Sequence, residues 1–452
     1  MVSRALRSKE RFRRILQTSW AGAVSRVVSI VASLLSVPMA MNYMGVEGYG
    51  LWMAISSLIM FLNVADGGIA NGVINIIARL SASNTYTEMR GVVSTAFFLL
   101  LFLSAACFLL FLSVALFIPW DKVLGVSHSI PPSDVLTMVL IVAGVFFANF
   151  SLGLVGKVQR ALQEGYLEHL WSGVGSLLSL FFMFIAIQVD AGLLWVVGSF
   201  LCGTSIAFIF SNIAYFFYMK KKIRPTFSLL KLRYVKEIAG VGFLFLILQL
   251  SSAVGFESDN ILIANILGAS AVAEYAITMK LFLLLPAVAS FALMPLWGAY
   301  SEAFASGDVA WVKATFLKSI KLSLFVSTPL ALLMAFMGDI IIKYWVGDSI
   351  HPSTGLIFGA ALWAVLMTLG NALAMFLNAM NIVRVQVIIS IAMATLNIFL
   401  SIFLIHRLGV EGAVYGSVIA TLICIFIPYG FILPYYYRRI SADEKTVRSV
   451  GE

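Results

Sequence analysis

Five ionisable side chains fall inside long apolar runs: Arg26, Asp66, Glu257, Asp259 and Lys280. A charge at the centre of a membrane helix costs at least about 2.5–3.5 kcal/mol, so each needs a reason to be there. The two cations and the three acids suit different chemistry. A cation in a low-dielectric wall attracts phosphate, and a guanidinium can grip two oxygens at once. Arg26 and Lys280 facing one cleft would therefore receive a pyrophosphate and repel metal ions and cationic drugs. Glu257 or Asp259 is suited to hold a proton or a cation, changing partners with Lys280 during a cycle. Each residue also has a plainer reading. Arg26 lies about eight residues from the inner end of its run, within reach of snorkelling to the headgroups. Lys280 is equally suited to a structural ion pair with Glu257 or Asp259. Asp66 stands in NVADGGIANG, where glycines loosen a helix end and a carboxylate can hold freed amides.

Little else carries chemistry. His128, His169, His351 and His406 are isolated, and Cys107, Cys202 and Cys424 lie in apolar runs without a CxxC or a ligand-spaced cluster. There is no GxxxxGK[ST], HExxH or GxSxG, so neither direct ATP use nor a familiar hydrolytic site is expected. No loop exceeds about 20 residues, too short for the catalytic loops of a membrane glycosyltransferase or polymerase. The expectation is a protein that is not an enzyme, with no metal and no cofactor.

The elements that position these residues are membrane helices. Of 452 residues 61% are hydrophobic and only 11% charged, against about 25% charged in a soluble domain, which leaves too few charges to cover a water-facing surface. Each spanning helix needs about 20 apolar residues. Twelve runs qualify, at 18–42, 49–70, 92–118, 134–156, 169–187, 192–218, 238–266, 271–297, 312–338, 354–379, 383–405 and 411–436. None alternates strictly in the manner of a barrel strand. The first run is too long for a signal-peptide core and reads as a retained span.

The chain carries 30 Lys and Arg against 21 Asp and Glu. With the N-terminus inside, 25 of the basic residues fall in inner segments and three, Lys122, Lys343 and Arg407, in outer ones. That bias puts both termini in the cytoplasm and explains the net charge of +9 without nucleic acid. The longest basic stretch, KKKIRPTFSLLKLRYVK at 220–236, divides the spans six and six. NYMGVEGYGLWM after the first span is echoed by NILGASAVAEYAITMK after the seventh, which points to a duplicated unit: 1–219, a basic cytoplasmic linker 220–236, and 237–452. Transporters are commonly built from such repeats, with the substrate site between them. Gln249, Ser251, Ser252, Asn260, Asn371, Asn378 and Asn397 are candidates to line a wet path, each equally suited to a helix–helix hydrogen bond. Trp120, Trp195 and Trp345 fit an outer aromatic belt, and Trp20, Trp171 and Trp297 an inner one.

Two stretches resemble a known family. MNYMGVEGYGLWMAISSLIMFLNVADGGIANGVINIIARL resembles the "yLG.egyGlw … lDlGl … ia" pattern of the Wzx-type polysaccharide flippases, and SDNILIANILGASAVAEYAITMKL their "D..li...lG...v..Y....kl" pattern. These motifs resemble the multidrug/oligosaccharidyl-lipid/polysaccharide exporter superfamily, and the twelve-span plan extends the likeness over almost the whole chain. The resemblance implies an all-α integral membrane fold, MATE-like, with two six-helix lobes in a V around a cavity. It implies alternating-access translocation of an undecaprenyl-pyrophosphate-linked oligosaccharide, an O-antigen, capsule or exopolysaccharide unit, across the bacterial inner membrane. H+, Na+ or the membrane potential would drive it, and the polysaccharide polymerase machinery is the expected neighbour. By that likeness Arg26 matches the span-one arginine of related lipid II flippases, and Lys280 stands where they have a span-eight arginine, keeping the charge but losing the planar fork. Asp259 and Asp66 match the acids of the two patterns. Those lipid II flippases carry two further spans, for which this chain has no room. The rival within the superfamily is a cation-coupled drug or small-solute exporter, which needs an acid-dominated site.

Overall fold

The computed structural model describes residues 2–61, 85–126, 130–162, 164–231, 233–236, 258–305, 308–380 and 383–433, with parts of 73–81; the side chains of 2–21 lie outside the description. The described residues form helices and turns and no strand. Among the described residues, ten helices are long and apolar enough to cross a membrane. Two sequence-predicted spans are not counted separately among them. The run 49–70 follows the first span after a break in the helix at Gly45, with its far end outside the described residues, and 238–266 is described only from residue 258.

The chain divides into two compact units, Met1–Leu250 and Ser251–Glu452. The first contains α1 (Val2–Phe61), α2 (Tyr86–Ala115), α3 (Pro132–Leu152), α4 (Leu154–Ala161), α5 (Gly165–Gln188) and α6 (Leu193–Ile213). The second contains α7 (258–267), α8 (Ala269–Phe282), α9 (Leu284–Ala305), α10 (Val309–Val346), α11 (Thr354–Ala379), α12 (Val383–Leu408) and α13 (Glu411–Thr421).

The echo seen in the sequence has a backbone counterpart. Gly45, at the bend of α1, has φ 71° and ψ 178°, and Gly268, between α7 and α8, has φ 93° and ψ 169°. That region is open essentially to glycine alone, so both MG/LG motifs mark sharp turns between consecutive apolar runs. Each unit also carries a π-helical stretch, Ala214–Met219 directly after α6 in the first and Leu422–Phe426 directly after α13 in the second, where the helix then runs on to residue 433.

Packing follows membrane rules: bulky side chains outside, small ones between helices. Phe325 is 79% exposed, and Phe117, Tyr344 and Phe431 are similarly bare. In the first unit α1 meets α5 through a row of small residues. A side chain at Gly22 would come within 3.2 Å of the His169 ring, Gly173 lies against Ser25, and Ser29 Oγ and Ser176 Oγ are 2.7 Å apart. The core of that unit gathers Ile77, Met89, Val92, Val158, Tyr215 and Phe216. In the second, Tyr300, Phe316, Phe376 and Leu373 pack together.

The basic segment after α6 is not slack. Arg90 of α2 donates to Arg224 O at 3.2 Å and to Thr226 Oγ1 at 2.8 Å, Ser94 Oγ accepts from Thr226 N, and Thr95 Oγ1 accepts from Lys231 N. Phe227 rests edge-on against Phe98 and Phe102. Residues 224–231 are therefore strapped to the first unit. Trp120 also departs from its expected place in an aromatic belt. It is buried, and its indole donates to Ala115 O at 2.8 Å, closing the end of α2.

Candidate functional site

The best-defined polar cluster lies in the second unit around Asp259, which is 3% exposed. Tyr275 of α8 donates to its Oδ2 at 2.9 Å, Ser417 of α13 to the same oxygen at 2.7 Å, and Ser401 of α12 to Oδ1 at 2.9 Å. Behind them Asn397 Nδ2 donates to Ser417 Oγ at 2.7 Å, and Ser258 Oγ to Asn397 Oδ1 at 3.3 Å. Four helices thus aim hydroxyls, directly or through an amide, at one carboxylate.

Local sequence explains the convergence. Asn397 and Ser401 are four residues apart and share one face of α12. On α13 the stretch Gly412-Ala-Val-Tyr-Gly416 is a GxxxG, the pattern that lets helix backbones approach closely. A side chain at Gly416 would sit 2.8 Å from Ser401 N, and one at Gly412 would sit 2.3 Å from Leu404 O. The two glycines bring α13 against α12, which places Ser417 beside Ser401.

No Lys, Arg or His lies within 4 Å of Asp259 among the described residues. Burying a carboxylate is expensive unless hydrogen bonds or a counter-ion offset it. Here hydroxyl donors supply the bonds and no side-chain cation supplies the charge. Such an arrangement can take up a proton or a small monovalent cation.

Lys280 does not pair with Asp259. It is partly buried near the end of α8, five residues beyond Tyr275, which rotates it about 140° around the helix from the face that meets Asp259. No hydrogen bond or ion pair involves Lys280 among the described residues. Arg26 lies on the first unit, exposed, on the flank of the small-residue row between α1 and α5 and near His169. Asp66 and Glu257, and with Glu257 the proposed partner exchange with Lys280, fall outside the described residues.

Of the expected wet-path residues, Asn397 belongs to the Asp259 cluster, and Asn378 accepts from Gln386 Nε2 at 3.2 Å. Gln249, Ser251 and Ser252 lie outside the described residues. Sequence reasoning missed Tyr275, Ser401 and Ser417. The signals that point to them are the tyrosine of the D..li...lG...v..Y....kl pattern for Tyr275, the N-x-x-x-S spacing on α12 for Ser401, and the place directly after a GxxxG for Ser417. Among the described residues no group of three His, Cys, Asp or Glu is placed to hold a metal.

Comparisons with known proteins bear on the fold and the family. The chain is 23% identical over 440 residues to a Salmonella typhi protein named as an O-antigen transporter, covering 94% of this chain and 95% of that one. It is 23% identical over 436 residues to the uncharacterized membrane protein EpsK of Bacillus subtilis (strain 168), covering 94% and 84%. Among solved structures, it shares the fold of an inward-facing multidrug resistance MATE transporter of the MOP superfamily (TM-score 0.71, 16% identity, 92% of this chain and 99% of that one). The lipid II flippase MurJ in an inward closed conformation also has this fold (TM-score 0.71, 14% identity, 96% and 92%). The family described as "Polysaccharide biosynthesis protein" matches residues 15–297, more than half of the chain, so this multi-pass membrane protein belongs to that family and is a transporter rather than a catalyst.

Proposed function

We propose that the protein is a flippase that carries an undecaprenyl-pyrophosphate-linked oligosaccharide from the inner to the outer leaflet of the bacterial inner membrane. In this reading two six-helix lobes, 1–219 and 237–452 joined by the basic stretch 220–236, rock about a shared cleft. Arg26 and Lys280 receive the pyrophosphate, one from each half of the chain. Asp259 binds the coupling ion, H+ or Na+, with Glu257 and Asp66 as further acids of the cycle, and both termini stay in the cytoplasm. The polyprenyl chain remains in lipid, the sugar crosses between the lobes, and the product is handed to a polysaccharide polymerase outside.

The observation that carries the proposal is the separation of charge in the second unit. Asp259 is enclosed by hydroxyls that suit a small ion, and Lys280, on another face of α8, is partly buried with no carboxylate paired to it among the described residues. Cargo and ion can then be held apart. A drug exporter needs an acid facing its cargo, whereas Asp259 is sealed by its hydroxyl donors.

The membrane potential supplies about 2.3 kcal/mol per charge per 100 mV, so one or two charges moved per cycle suffice for direction. The test is reconstitution with a defined lipid-linked oligosaccharide and an imposed pH or Na+ jump. Gradient-dependent appearance of the sugar on the far leaflet is expected. Absence of flipping with wild-type protein, or wild-type rates with Lys280→Ala, would overturn it.

A further inference from the structure

A cavity of about 200 Å³ opens within the second unit between α11, α12 and α13. At roughly 30 Å³ per water it holds six or seven waters and is too small for an oligosaccharide. Its polar wall comes from Asn371, Gln386, Ser390, Thr421 and Tyr429, and Met393 lies at its inner end.

Two features point to a polar occupant. Thr421 is 5% exposed and its hydroxyl has no hydrogen-bond partner. Thr278, Thr368 and Thr395 satisfy theirs on a carbonyl one turn earlier, at 2.8–2.9 Å, and Thr421 does not. The cavity wall is mostly apolar, and a buried orphan hydroxyl within reach of the few polar groups on it, Asn371, Gln386, Ser390 and Tyr429, is where an ordered water is placed. The second feature is the π-helical stretch Leu422–Phe426, which begins directly after Thr421 and contributes Ile425 and Phe426 to the wall. Such widened turns recur at functional sites.

The cavity leads to Asp259. Gln386, Ser390 and Met393 occupy successive turns of α12, and the next two turns on that face carry Asn397 and Ser401. On α13, Thr421 stands one turn from Ser417. The Asn397–Ser417 hydrogen bond, about 6 Å beyond Met393 and Thr421, is the last layer before the carboxylate.

We propose that this cavity is an internal water path by which a small monovalent cation, a proton or Na+, exchanges between Asp259 and the cytoplasm within the second unit, with Thr421 as its hydroxyl next to the site and the Asn397–Ser417 bond as its inner gate. The path opens at the end of the unit next to Arg384, which the charge bias assigns to the cytoplasm. The coupling ion, bound from the outer side, would then leave without crossing the cargo's cleft. This rests on Asp259 being the coupling acid.

The test uses full-length protein with Cys107, Cys202 and Cys424 changed to alanine and a single Ser390→Cys or Met393→Cys added. In inside-out vesicles, aminoethyl methanethiosulfonate should modify both positions, and a bulky maleimide should be at least tenfold slower. No modification of either cysteine, with the reagent active on an exposed control, overturns the path. A second variant, Ala374→Phe, narrows the cavity away from Asp259. It should slow gradient-driven translocation at least tenfold and leave binding of the lipid-linked cargo unchanged. Loss of the response to a pH jump alone identifies the proton, and loss of the response to a Na+ jump alone identifies Na+. An Ala374→Phe protein that responds to both gradients at wild-type rate overturns the path. If Asp259→Asn translocates like wild type, the coupling role of Asp259 fails, while the labelling result still decides whether the cavity is wet.

Discussion

The two charged residues described in the second unit's proposed site answer different questions and can be separated by substitution. Lys280→Ala removes the cation proposed to hold the cargo. A hydrogen bond to a charged group contributes about 1.5–3 kcal/mol, which corresponds to a fall in translocation of roughly 10- to 150-fold at unchanged protein level. Lys280→Arg keeps the charge and should retain most of the rate, which lipid-linked sugar reaching the far leaflet would measure. Asp259→Asn keeps the volume and removes the charge. It should abolish the response to an ion gradient and leave cargo affinity within about twofold. Equal loss of both would show that Asp259 acts on the cargo or on the fold instead.

Asp259 was legible in the sequence because a carboxylate in an apolar run is conspicuous. Tyr275, Ser401 and Ser417 were not, because hydroxyls are common in membrane helices and only the pairing of α12 with α13 shows which of them meet. Of the two acids expected near Lys280, only Asp259 is described, and five residues beyond Tyr275 turn Lys280 about 140° from the face that meets it.

At the scale of the helices, glycine decides where backbones touch and where they turn. Gly416→Leu would force α13 away from Ser401, an overpacking that costs about 1–3 kcal/mol. The protein should unfold in detergent at a lower temperature, and Asp259 should lose the Ser417 bond. Gly45→Ala and Gly268→Ala each place a side chain in a backbone region that costs about 1–3 kcal/mol. Comparable losses at both positions, read by thermal unfolding, are expected from turns of the same geometry. The twelve apolar runs were readable one by one from hydropathy. That the first two runs meet at a sharp break was hidden, because hydropathy does not show the backbone dihedrals of Gly45. The attachment of 224–231 to α2 was equally hidden, since Arg90, Ser94 and Thr95 bond mainly to backbone atoms, which carry no sequence signal.

At the scale of the whole protein, the charge bias makes a directional prediction. Tags at both ends should be reached by protease from the cytoplasmic face only, and a tag digested from the opposite face would reverse the assignment. Collapse of the membrane potential should slow translocation if net charge moves in the rate-limiting step, and vesicles held at a series of potentials would give its magnitude.

The paired glycine turns point to an ancestral half that once associated with a copy of itself. If each half still stores its own folding instructions, the polypeptide need not be continuous. Two genes, one ending after the strapped segment and the other starting with the seventh apolar run, should restore surface polysaccharide when expressed together in a strain lacking the intact gene.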